Sequence, residues 1–98
     1  MTSGDERQAA AASIEQLVGL LKRHQGPQTA SIVEECEALA RAIGAFHMEG
    51  IRFRIFNVDR LVAAQAASLP ADARALLEDA RRHLEAAGFH TRSHQSPV

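Results

Sequence analysis

Apolar and polar positions alternate most regularly between Thr29 and Leu69. Wound as one helix, this stretch puts Ile32, Cys36, Leu39, Ile43, Phe46, Gly50, Ile51, Phe53, Ile55, Val58, Leu61 and Val62 on one broad side. Glu34, Glu37, Arg41, Glu49, Arg52, Asp59 and Arg60 fall on the other. The 3.6-residue period of an amphipathic helix is thus kept for about ten turns. At 1.5 Å per residue such a helix is roughly 60 Å long, more than a compact domain of this size spans.

The flanking stretches carry the same period over shorter lengths. A first helix is expected over about 5–25, with Ala10, Ile14, Leu17, Val18 and Leu21 inward, a Ser3/Glu6 capping box, and a stop at Gly26-Pro27. The central helix is expected over about 30–68, started by Thr29 or Ser31 and weakened by roughly 1 kcal/mol at each of Gly44 and Gly50. It ends before Pro70, which disfavours helical geometry at Leu69. A third helix, 70–88, is expected to start at Pro70 with Ser68 as cap. Ala73, Leu76, Leu77, Ala80, Leu84 and Ala87 face inward, and Arg74, Glu78, Arg81 and Arg82 outward. Gly88-Phe89 reads as its stop, and 90–98 as a flexible tail after a single domain, 1–89.

Short connections make the outer helices antiparallel to the middle one. Together they are about as long as it is, so each covers one half and leaves a strip uncovered. The fold class that follows is all-α: a three-helix chain with a long central helix, forming an antiparallel homodimeric helical bundle. His47, Gly50, Phe53, Arg54 and Val58 are the expected interface residues. Arg54, on the apolar side, requires a carboxylate partner or an outward path.

Composition narrows the function classes. The 98 residues are 46% hydrophobic and 23% charged, as in ordinary globular chains. A formal net charge of −1 gives no polyanion-binding signal, so nucleic acid is not an expected partner. A single cysteine, Cys36, excludes an internal disulfide and fits a reducing cytoplasm. Met1–Glu6 is too polar for a secretory signal, and no apolar run reaches the ~20 residues of a membrane span. Cys36, flanked by Glu35 and Glu37, reads as a core thiol. Only His90 and His94 of the group His83, His90 and His94 share i,i+4 spacing, so no metal is expected, and no cofactor. The chain carries no phosphate loop and no nucleophile–base pattern. The expected function is a non-enzymatic, cytoplasmic interaction or regulatory module acting as a homodimer, with room for a further protein partner.

Two alternatives rest on short stretches. Ile51–Phe56 reads Ile-Arg-Phe-Arg-Ile-Phe, a strand-like alternation bounded by Gly50 and Asn57. As a strand followed by helices at about 58–68 and 70–88, the order resembles the ribbon-helix-helix DNA-binding family. That resemblance implies Arg52 and Arg54 facing base edges. His47-Met48-Glu49-Gly50 resembles, more loosely, the histidine-phosphotransfer family, which implies His47 as the phosphorylated residue. In this chain the glycine comes one position early and Glu49 stands where that family has a basic residue.

Overall fold

The computed structural model describes residues 3–24 and 29–89, with the backbone alone at 3 and 4. Four α-helices stand among the described residues: α1 (Ser3–His24), α2 (Thr29–Gly44), α3 (Met48–Ala64) and α4 (Ala71–Ala86), with a 3₁₀ turn at Ala66–Ser68. No strand occurs among them, and no helix there is long and apolar enough to cross a membrane.

The expected central helix is broken, so the three-helix count is wrong. Its two halves, α2 and α3, fold back on one another at Ala45-Phe46-His47. The turn closes α2 with paired bonds: the Phe46 amide donates to the Ile43 carbonyl at 3.1 Å and the His47 amide to the Ala42 carbonyl at 3.0 Å. This is a Schellman motif, and Phe46 holds its left-handed position at φ 59°. α4 ends in the same way at Gly88 (φ 102°), where the Phe89 amide reaches the Leu84 carbonyl at 2.9 Å. That stop is where the sequence puts it.

Named contacts fix the directions of the helices. Arg7 near the start of α1 donates to the Ile43 carbonyl at the end of α2, 2.8 Å away. Arg54 of α3 donates to Glu35 of α2, Arg81 of α4 pairs with Asp59 of α3, and His83 of α4 donates to Glu6 of α1 at 2.7 Å. The bundle is therefore up-down-up-down, with α1 packed on α2 and α4, and α3 packed on α2 but barely touching α4. Its longest extent is 36 Å, against the 60 Å of an unbroken helix.

The core collects one apolar stripe from each helix: Ile14, Leu17 and Leu21; Ile32, Leu39 and Ile43; Ile51, Ile55, Val58 and Val62; Leu77 and Leu84. Each such side chain contributes about 1.5–3 kcal/mol when fully buried. Folding α3 back onto α2 covers within one chain much of the apolar face that had called for a second copy.

Smaller corrections have local causes. Pro70 precedes α4 as its cap residue (φ −60°, ψ 146°), and the Ser68 hydroxyl bonds the Gln65 carbonyl instead of capping α4. Glu6 pairs with His83, and the Ser3 side chain of the expected capping box lies outside the described residues. Arg81, read as outward, is 4% exposed, since it lies i+4 from Leu77 and three before Leu84. Gly26-Pro27 and 90–98 lie outside the described residues.

Candidate interaction surface

Residues 45–47 end α2, start α3 and set the surface around them. His47 is the N-cap of α3, and its Nδ1 accepts the Gly50 amide at 2.8 Å. A histidine nitrogen accepts only through its lone pair, so this bond leaves the proton of the neutral ring on Nε2; the side chain is exposed. Phe46 is carried out of the bundle. Its ring meets Phe89 edge to face at 5.5 Å, and the Arg7 guanidinium lies over it at 5.1 Å.

Beyond the turn, α3 turns Ile51, Ile55, Val58 and Val62 inward and Glu49, Phe53 and Arg60 outward, with Phe56 half-buried on the same side as these three. Phe46, Met48 and Phe53 are 60%, 47% and 57% exposed, unusual for side chains that large and apolar. Glu49, Arg52, Phe53 and Phe56 line a shallow groove of about 200 Å³. Charged side chains frame it. Arg52 pairs with Glu49 at 3.3 Å, while Arg54 reaches both oxygens of Glu35, at 3.1 and 3.2 Å, with its guanidinium 5.3 Å from the centre of the Phe53 ring. Asn57 adds a bond to Glu35 at 3.4 Å.

The expected interface residues therefore separate. His47 and Phe53 are exposed and Arg54 is half-buried beside them. Val58 is fully buried in the chain's own core, and Gly50 faces His47 and Ala42. The carboxylate that Arg54 required is Glu35 of the same chain, a residue the sequence reading passed over. Its signal was available: Glu35 lies on the flank of α2 that faces α3 once the two fold back.

Ile51–Phe56 is helical, which corrects the strand alternative. Ile51 and Ile55 are buried at i,i+4 spacing while Phe53 between them points out, so burial follows the helical period and not the alternation. Arg52 and Arg54, the candidate DNA contacts, are engaged by Glu49 and Glu35.

Other chemistry is sparse. A wider, open groove of about 530 Å³ runs between α1 and α4 past Gly19, Arg23, Asp72 and Leu76. Cys36 is buried, and burial, then the Glu35 and Glu37 carboxylates, push its thiol up to about 12. No group of three metal-binding side chains comes together among the described residues, and the histidines at 90 and 94 lie outside them. Compared with protein-family models, curated proteins and solved structures, the chain matches none.

Proposed function

We propose that the chain is a non-enzymatic, cytoplasmic interaction or regulatory module that works as a homodimer. The observation that carries this reading is the aromatic face of α3 and the adjoining turn. Among the described residues, Phe46, Met48 and Phe53 are the large apolar side chains that stand in solvent. Exposed rings framed by arginines are the composition of a docking surface, where aromatic and arginine side chains carry most of the binding energy. The dimer no longer rests on an overlong helix, which is absent, but on this face. Light scattering of the purified chain across a dilution series tests it. A mass twice that of the chain, falling toward one at low concentration, supports the proposal; a single-chain mass throughout contradicts it.

Phosphotransfer through His47 is a second reading, favoured by the exposed imidazole on a four-helix bundle. Against it stand the cap, which keeps the proton on Nε2 and so removes the lone pair that would attack phosphorus, and the neighbouring Glu49 carboxylate. Incubation with a phosphorylated receiver domain tests this reading. Acid-labile label on His47 supports it, and an unlabelled chain contradicts it for that receiver.

A further inference from the structure

We infer that two copies pair antiparallel through the outer face of α3, about a twofold axis passing midway between the levels of Phe53 and Phe56. The inference rests on the homodimer reading above and names its interface.

The outer stripe of α3 reads Glu49, Phe53, Phe56, Arg60, at spacings of four, three and four residues. These spacings keep all four on one side of the helix, opposite the buried Ile51, Ile55, Val58 and Val62. The stripe is symmetric in position and opposite in charge. Glu49 and Arg60 stand equally far from its midpoint, roughly 8 Å each way along the axis, and the two rings flank that midpoint. Turned end for end, a second α3 sets its Arg60 against Glu49, its Glu49 against Arg60, and its two rings against Phe53 and Phe56. A parallel arrangement would set Glu49 against Glu49 and Arg60 against Arg60. Charge alone therefore selects the antiparallel one, and the pairing is isologous, as a closed twofold dimer requires.

Two neighbouring polar side chains are engaged away from this stripe. On one flank Asp59 is held by Arg81 of α4, and on the other Asn57 is held by Glu35 of α2. Arg60, between them, is exposed and makes no ion pair with any described residue. Glu49 holds Arg52 only through an exposed contact, its own side chain 80% open. The groove beside Phe53 has room for an inserted ring from the facing helix. Four rings then cluster at the centre with an acid–base pair at either end, the arrangement of a packed core inside a charged rim.

The test is charge reversal with reciprocal mixing, read by sedimentation velocity. Glu49→Arg and Arg60→Glu each turn both end pairs of a homodimer from attraction to repulsion, and each is expected to weaken self-association roughly ten- to a hundredfold. Mixed one to one, the two variants form a heterodimer in which both end pairs are opposite in sign, so association returns. Both positions are exposed, and circular dichroism of each variant should match the wild type. Recovery on mixing is a result that misfolded variants cannot give. A wild-type dimer that neither reversal weakens, or reversals that mixing does not rescue, overturn this interface and leave the homodimer standing. A wild-type chain that is monomeric at every concentration overturns the homodimer itself.

Discussion

The Gly50 amide and the His47 imidazole form one unit at the head of α3: the amide donates to Nδ1 across 2.8 Å, and a methyl on Gly50 would stand 2.6 Å from that same nitrogen. Glycine here is what lets the cap close. Replacing a helical glycine by alanine ordinarily stabilises by about 1 kcal/mol, and losing an N-cap costs about 1 kcal/mol. Gly50→Ala should therefore leave stability unchanged or lower. Gly44→Ala, where nothing lies within 4 Å, should raise it by about 0.5–1 kcal/mol. Denaturant midpoints of the two variants check the contrast.

Phe46 occupies a left-handed backbone position that a side chain enters at a cost of roughly 1–2 kcal/mol. Its edge contact with Phe89 and the Arg7 guanidinium over its ring offset that strain. Phe46→Gly removes strain and contacts together and should change stability by less than about 1 kcal/mol. Phe46→Val keeps the strain, adds a β-branch and loses the contacts, and should destabilise by about 2 kcal/mol. Thermal unfolding of both variants distinguishes these outcomes.

Much of this fold was legible in the sequence, and the principal miss has a physical cause. Most positions buried in the four helices, among them Ile14, Leu17, Ile32, Leu39, Ile51, Ile55, Leu77 and Leu84, are legible from the 3.6-residue period, which reports burial directly. The break between α2 and α3 stayed hidden because Ile43 and Ile51 lie eight residues apart, so the stripe keeps phase across the turn. The residue in the left-handed position is a phenylalanine, with the glycine two positions earlier, so the usual stop signal was displaced. By contrast, Gly88 sits where a helix stop wants it, and that end was read correctly. Phe46 and Phe53 were assigned to the apolar side by type alone, and they prove to be the exposed rings of the candidate surface. Arg81 was assigned outward by its charge, although its spacing from Leu77 and Leu84 placed it inward.

Arg81 is buried and joins α4 to α3 through Asp59 at 3.1 Å, with Glu78 3.6 Å from its Nε. That Nε makes no hydrogen bond. Removing the acid strands a buried charge, while replacing the base by an apolar side chain of similar length removes the charge altogether. Asp59→Ala should destabilise by about 1–3 kcal/mol, the lower part of the range reflecting its partly exposed carboxylate. Arg81→Met should be close to neutral. Chemical denaturation of the pair provides the comparison.

Cys36 supplies a pH dependence whose sign is fixed. Its thiol is pushed from 9.0 up to about 12 by burial and by Glu35 and Glu37, so between those values the unfolded chain has lost the proton that the folded chain keeps. The stabilising contribution is fully present below pH 9, declines as pH rises, and is exhausted near pH 12. Cys36→Ala should be less stable than the wild type at neutral pH and lose less stability across that alkaline window. In the wild type, thiol reagents should react at the rate of unfolding.

The most direct measurement of the central claim is sedimentation velocity of the wild type beside Phe53→Glu at equal concentration. Phe53 is exposed, so the variant should keep the helical content of the wild type. The account predicts a dimer for the wild type and a monomer for the variant, because a carboxylate replaces a ring at the centre of the contact. Identical sedimentation of the two chains would contradict it.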